Sequence, residues 1–501
     1  MAAGVFHPVG PALAAEARAV APATFTSIAA IPAQATKDFT VSLQPGTDAA
    51  AARAVAAYFS GFGLTTTVTP ENDIIFVHGT YAQAAAAAHT TFARVRVRTA
   101  TFTHAMTPES YPTAIARSIL ATTIEEGPSA ISAGVKTLAP PSGYAPADIA
   151  SYYDIAPLYR AGLSGAGQRV AVLACASVVP GDVSTFAAQF GRPAPTLTIE
   201  PVDGGTTVTD LEPTGDVERV LGTAPRAHVF LYVVPNDCSF GHLADGFARI
   251  AADTRTLHFA AVTHSYGATE DDYAFYGAQT QLAAEHQYLQ LLHQRETPVF
   301  TVSGDWGASF GSSDQALYDG ELTVWYPASD PATIAVGGTE AISGSATDPV
   351  RLEELAWGDG GGGVSADFFI PPWQKGTPGL ASSVYRNVPD VALASSGGEG
   401  YAAIWTPEGG SQGEYWFYGT SFAAPTWAGL IALVEQHRVA AKKPLLSNLV
   451  ASLYALRTSP GLVDIVAGCN GYYCAKPGYD NVTGLGVFDG AKLESELFAQ
   501  P

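Results

Sequence analysis

The chain has 501 residues, 47% of them hydrophobic and 14% charged, and its 25 Lys and Arg against 46 Asp and Glu leave a formal net charge of −21. That composition excludes a disordered, collagen-like or coiled-coil protein, and the length suits a large core in two or three domains. No uninterrupted apolar run reaches the roughly 18 residues of a membrane-spanning helix, and acidic surface repels a phosphate backbone, so neither membrane nor nucleic acid is an expected partner.

Residues 1–36 are rich in Ala and Pro and read as loosely ordered; lacking a basic start and a sustained apolar stretch, they do not form a clear secretory signal. A compact α/β pattern follows over 37–131. Asp38–Gln44 alternates with the period of a strand, and the Ala-rich Ala49–Ser60 reads as a helix stopped by Gly61 and Gly63. Thr65–Thr69 and Asp73–Val77 read as strands about the turn Pro70-Glu71-Asn72, Gln83–Ala88 as a helix, and Ala93–Arg98 as a last strand. Residues 132–143 hold Gly134, Pro140, Pro141 and Gly143 and read as a linker with a processing site.

From Tyr144 the character changes. Apolar runs recur at Arg169–Ala174, His228–Val234, Ala260–Ser265, Pro298–Ser303, Thr333–Val336 and Val391–Ala394, each followed by helical or turn sequence. Such runs suit strands buried on both faces of a parallel sheet, which makes 144–501 one large α/β domain. It also carries the whole acidic excess: residues 1–140 hold 8 basic and 8 acidic residues, and residues 141–501 hold 17 and 38.

Three constellations could carry chemistry. Gly419-Thr420-Ser421 precedes the apolar helix Thr426–Glu435, so Ser421 sits at a helix start, where developing negative charge is favoured; an ordinary capping serine is the plainer alternative. Glu212 and Asp216 are four apart and share a helical face, with Glu218 off that face and solvated. Pro213 is expected to hold Glu212 in extended backbone at the helix N-cap, and Gly215 to weaken the next turn. Asp305, in Ser303-Gly304-Asp305, ends a buried strand, where functional groups gather in parallel sheets. Taken alone, each acid reads more simply as a cap or a surface charge. His78-Gly79-Thr80 offers a histidine, but it lies in the small N-terminal region with no Asp-Ser-Gly or Asp-Thr-Gly before it; His78 reads as a strand-end surface residue. His264 reads as a packed strand residue.

Taken in order, Glu212-x-x-x-Asp216, Ser303-Gly304-Asp305 and Gly419-Thr420-Ser421-x-x-x-Pro425 resemble the sedolisins, the serine-carboxyl peptidases of the subtilisin-like superfamily. Tyr144–Ala150, Ala335–Thr339, Gly361–Ser365 and Val388–Val391 share the resemblance. It implies a subtilisin-like catalytic domain with a parallel sheet flanked by helices, preceded by a small α/β prodomain. Ser421 would be the nucleophile, Glu212 its general base, Asp216 the group orienting Glu212, and Asp305, protonated, the donor to the oxyanion. The expected enzyme is a secreted, monomeric acid endopeptidase acting on proteins or peptides. It would be made as an autoprocessed proenzyme whose propeptide is its own inhibitor and chaperone. A carboxylate base suits acid pH, where a histidine would already be protonated. A tripeptidyl peptidase, a catalytically silent calcium-stabilised binding protein and a neutral, histidine-using hydrolase are the alternatives; missing upstream Asp and His motifs speak against the last. The fit departs at Ala174, where many sedolisins carry a supporting glutamate, and an aromatic position of that network appears as Tyr266.

The end of the chain adds a metal argument. Asp464 and Asp480 flank a loop rich in carbonyls, a donor set for a hard cation. The resemblance implies one structural Ca²⁺, held in the loop 463–486 by Asp464, Asp480 and the carbonyls of Ile465, Lys476 and Gly478, with Lys476 replacing a usual glycine. Cys469 and Cys474 close a small ring if the compartment is oxidising, two free thiols being the alternative; no pairing is read for Cys175 and Cys238. Arg94, Arg96 and Arg98 are expected to dock one strand face on the acidic domain, and Asn481-Val482-Thr483 is a glycosylation sequon.

Overall fold

The apolar runs become the middle of one sheet. Thr196–Pro201, His228–Val233, Arg169–Ala174, Ala261–His264, Val299–Val302 and Ile334–Ser345 lie side by side in that order, each parallel to the next. Val391–Ala394 adds in parallel to Ile334–Ser345, and Asp348–Ala356 pairs with it antiparallel, which makes eight strands. The computed structural model describes residues 23–132, 136–138, 144–309, 321–345, 348–396 and 400–501. The central strands are buried along nearly their whole length because helices cover both faces. Leu211–Thr223 and Thr420–Ala440 pack on each other against one face, while Phe240–Leu257 and Gln279–Gln294 cover the other. A parallel sheet lines up the carboxyl ends of its strands, so Ala174, Val233, His264, Val302 and Ala394 all lead to one edge.

The N-terminal region builds its own core. Thr65–Val68, Ile74–Thr80, Thr36–Leu43 and Ile119–Thr122 form an antiparallel sheet backed by Ala49–Ser60 and Tyr81–Ala88, with Phe39, Val41, Val55, Phe59 and Ile75 between them. The strand Thr36–Leu43 is buried on both faces, and its alternation says why. Phe39, Val41 and Leu43 face its own helices, while Thr40 turns to the larger domain, accepting from Tyr288 Oη at 2.7 Å and donating to Asp245 Oδ1 at 2.6 Å. Thr26–Ala30 forms a strand on Phe92–Val97, so the Ala/Pro-rich segment is ordered there; its residues 1–22 lie outside the described residues.

Of the expected basic docking strand, Arg98 reaches the larger domain and Arg94 does not. Arg94 bonds Glu126 of its own domain at 3.3 Å, and Arg98 lies 5.5 Å from the Phe275 ring. Arginines of the larger domain reach across as well: Arg295 binds Asp73 at 2.7 Å and Arg255 binds Glu71 at 2.8 Å. Part of the expected linker is paired at both ends. Ile131–Ser132 runs antiparallel to Tyr266–Gly267, and Lys136–Leu138 antiparallel to Trp416–Tyr418. Residues 133–135 and 139–143, with most of the expected processing region, lie outside the described residues.

Candidate active site

Ser421 is the second residue of the helix Thr420–Ala440, reached from the strand Gly413–Tyr418 through Gly419. Gly419 has φ +146°, its N–H donates to Ser395 O at 2.8 Å, and a Cβ there would run into the Asp305 carboxylate. Only glycine meets both demands, which explains the small residue before Thr420. The helix is apolar on every side and buried for four turns, so Ser421 is held on a rigid element.

Glu212 and Asp216 come from the neighbouring helix, Leu211–Thr223, whose N-cap Asp210 accepts from the Leu211 N–H at 2.6 Å. Glu212 is helical, not extended as expected. Pro213 fits the first turn because N–H groups there have no helical acceptor to lose. Gly215 does not fray the helix; it admits the Phe422 ring, whose Cε1 would stand 2.7 Å from an added Cβ. Glu212 and Asp216 thus stay on one face and meet the start of the serine helix.

Both carboxyls are buried, and Asp216 Oδ1 accepts from Ser265 Oγ at 2.9 Å. Burial pushes the Glu212 carboxyl well above its ordinary range and the nearby Asp216 pushes it further; the Ser421 hydroxyl, which faces it without a short aligned hydrogen bond, pulls the other way. Burial likewise raises Asp216, opposed by Ser265. Tyr266 stands beside the pair: burial, Glu212 and Asp216 all hold the proton on its phenol, and its hydroxyl makes no formed hydrogen bond. Asp305 follows the strand Val299–Val302 through Ser303-Gly304, and its Oδ1 accepts from the Thr420 N–H at 2.9 Å and from Thr420 Oγ1 at 2.6 Å. Ser421, Glu212, Asp216 and Asp305 therefore lie together. Ser265 and Thr420, which hold two of the acids, were not singled out in the sequence; Thr420 lay inside the serine motif.

No family model matches the chain. It is 30% identical over 393 residues to kumamolisin from Bacillus sp. (strain MN-32), covering 72% of this chain and 64% of that protein. The solved structure of Pseudomonas sedolisin, a serine-carboxyl proteinase complexed with two molecules of pseudo-iodotyrostatin, superposes with a TM-score of 0.59 at 25% identity, over 71% of this chain and 97% of that one. The chain belongs to the sedolisin family. Tripeptidyl-peptidase 1 from Bos taurus is 30% identical over 249 residues, 45% of this chain and 41% of that protein. The chain thus spans less than two thirds of the length of either curated relative.

Other residues of this sedolisin fall as follows. His78 is an exposed strand-end residue bonded to Asp38 at 2.7 Å. His264 is packed in the sheet with Nδ1 3.1 Å from Leu173 O, and burial lowers it to about 4. Glu218 is not solvated: it is 1% exposed and accepts from the Ile404 N–H at 2.9 Å. All thirteen residues of its helix are buried, so being off the Glu212 face does not mean facing water. Cys469 pairs with Cys474, and Cys175 pairs with Cys238, a bridge between residues 63 apart that no local spacing announces. Asn481 is buried with Nδ2 donating to Gly363 O at 2.5 Å, so its sequon offers no accessible nitrogen.

In the end loop the two expected carboxylate donors both reach the segment that carries two of the expected carbonyls. Asp464 Oδ2 accepts from the Gly478 N–H at 2.7 Å and Asp480 Oδ2 from the Lys476 N–H at 3.0 Å, so both carboxylates hold the segment 476–478. Gly478 takes φ +84°, whereas Lys476 does not enter the left-handed region, so a side chain there costs the carbonyl geometry nothing.

Proposed function

We propose that this sedolisin is an acid-active serine-carboxyl endopeptidase, made as an autoprocessed proenzyme and working through an acyl-enzyme on Ser421. The convergence of Ser421, Glu212, Asp216 and Asp305 at the carboxyl edge of the sheet carries this reading. Ser421 Oγ attacks the peptide carbonyl and its proton passes to Glu212, which then gives it to the leaving amine. Asp216 keeps the negative charge of Glu212 costly, which makes it a stronger base. The Asp305 carboxyl donates to the tetrahedral oxyanion while it holds its proton, which ties activity to acid pH. Water then deacylates the enzyme by the same route in reverse.

Ile131–Ser132 pairs with Tyr266–Gly267 and Lys136–Leu138 with Trp416–Tyr418, next to the acid pair and the serine turn respectively, and a whole domain precedes them. That supports self-cleavage of this stretch and a cleft open at both ends, hence endopeptidase action. The likeness to tripeptidyl-peptidase 1 supports the second reading, in which a free amino terminus is required. Two disulfides with no free cysteine among the described residues support an oxidising, extracellular setting, and no helix among them is long and apolar enough to cross a membrane. One structural Ca²⁺ in the loop of Asp464 and Asp480 completes the proposal.

Casein hydrolysis against pH, with chain mass followed in parallel, tests it. Wild type should shorten on acid incubation and show an acid peak, whereas Ser421→Ala should stay full length and lose at least about a thousandfold in rate. Activity confined to neutral or alkaline pH would overturn the carboxyl mechanism. Cleavage only of peptides with a free amino terminus would favour the tripeptidyl reading.

A further inference from the structure

The ring closed by Cys469 and Cys474 reaches the centre of the molecule. Asn470, inside the ring, is 2% exposed. Its backbone carbonyl accepts from the Ala308 N–H at 3.0 Å, three residues past Asp305. Its Nδ2 donates to Gly360 O at 3.1 Å, at the head of the glycine run Gly360–Gly363. The ring holds Asn470 in turn: its N–H donates to Tyr473 O and its Oδ1 accepts from the Tyr473 N–H, both at 3.0 Å. The two segments it grips are also joined to each other. Gly361 N–H donates to Gly304 O at 2.8 Å, Gly307 N–H to Asp359 O at 2.7 Å, and Ser303 Oγ to Gly361 O at 2.8 Å. Gly307 has no room for a side chain, because a Cβ would lie 2.7 Å from Asn470 O. Gly304, Trp306, Gly307 and Gly362 then line one small cavity beside Asp305.

We propose that Asn470, fixed by the Cys469–Cys474 ring, is a positioning residue for Asp305 and for the glycine wall of the substrate cleft. Asn470 does not touch the reacting atoms; it sets the loop that carries Asp305. This rests on the peptidase reading of Ser421 and Asp305. The ring itself leaves Tyr472 64% exposed, so its outer side makes no such demand on the fold.

Asn470→Ala and the double variant Cys469→Ser/Cys474→Ser should lower kcat per titrated active site roughly tenfold or more, the scale of an ångström-sized misplacement, and raise KM. Tyr472→Ala, on the exposed side of the ring, should leave both unchanged. A purely structural ring would lower the fraction of folded enzyme and leave kcat per active site as in wild type, which would overturn the proposal. Hydrogen exchange on the uncleaved Ser421→Ala chain reads the clamp without turnover. Amides of 304–308 and 360–363 should exchange faster in both variants while those of 169–174 do not. Exchange unchanged, or raised uniformly across the sheet, overturns the clamp. An inactive wild type with the expected exchange pattern would instead overturn the peptidase reading and leave the clamp standing.

Discussion

At the scale of single residues, the site is governed by two carboxyls that cannot both ionise cheaply. In the proposed mechanism Glu212 must be ionised to take the Ser421 proton, and burial together with Asp216 holds its carboxyl well above the ordinary range. The acid limb of kcat/KM should therefore lie above the ordinary carboxylate range of about 4. Asp216→Asn keeps an acceptor for the Ser265 hydroxyl and removes the neighbouring charge. Glu212 then ionises at lower pH, so the acid limb should move down by about one unit or more, with a fall in kcat as the weaker base does less work. A limb that stays in place would mean that Glu212 does not feel the Asp216 charge. These two acids, with Ser421 and Asp305, were legible in the sequence because each belongs to a short motif of fixed spacing. Ser265 was not, because its partner lies 49 residues away and only the packing of a strand end on a helix joins them. Glu218 was misread for a related reason: a helical wheel separates faces but cannot tell that the second face is also covered.

At the scale of elements, the strands that lead to the site followed from apolar runs and the serine helix from its apolar stretch, and the errors lie where local rules meet tertiary demand. Pro213 and Gly215 looked like weaknesses of the helix carrying Glu212. In place they are the first-turn proline that costs no hydrogen bond and the glycine that admits Phe422. The end loop is the element whose proposed ligand is most easily removed. Without Ca²⁺ the Asp464 carboxylate leans on the Gly478 N–H, and Asp480 on the N–H groups of Lys476, Val482 and Thr483 and on the Thr483 hydroxyl. An ion present at about a hundredfold over its Kd stabilises the folded chain by about 2.7 kcal/mol. Thermal unfolding of the uncleaved Ser421→Ala chain at neutral pH should therefore drop by several degrees in chelator and recover with added Ca²⁺. Asp464→Ala should unfold at the lower temperature in both conditions. Identical midpoints for the parent chain with and without Ca²⁺ would remove the ion from the account.

At the scale of the whole molecule, the two domains meet through groups that respond to pH in opposite senses. Asp203 and Asp245 of the larger domain lie together under the N-terminal sheet, where Thr40 and Thr123 each donate to Asp245 Oδ1 at 2.6 Å. Burial raises both acids; the Asp245 charge raises Asp203 further, whereas Lys37 and hydrogen bonds from Thr123, Thr40 and Asp203 pull Asp245 back, and Asp38, His78, His242, Arg249 and Tyr288 surround the pair. An acid raised by docking takes up a proton on docking. Its contribution is full below the ordinary carboxylate pKa and is lost as pH rises through the raised value. Glu126 behaves oppositely. Burial alone would raise it, but Lys37, Tyr81 and His242 more than offset this, so its contribution is present at higher pH and fades as pH falls through its lowered value. The Asp203–Asp245 pair therefore favours the junction on acidification, whereas Glu126 opposes it through His242 across the junction, and the ion pairs Arg295–Asp73 and Arg255–Glu71 also rest on ionised acids. Asp245→Asn in the Ser421→Ala chain isolates the pair, since the amide oxygen still accepts from Thr40 and Thr123 but no second negative charge forms. At mildly alkaline pH the variant should be more stable than its parent, by about 1.4 kcal/mol for each pH unit by which docking raises the pair. The advantage should vanish toward pH 4, where the parent pair already holds its protons. Unfolding midpoints that differ by the same amount at both pH values would show that the pair does not titrate with docking.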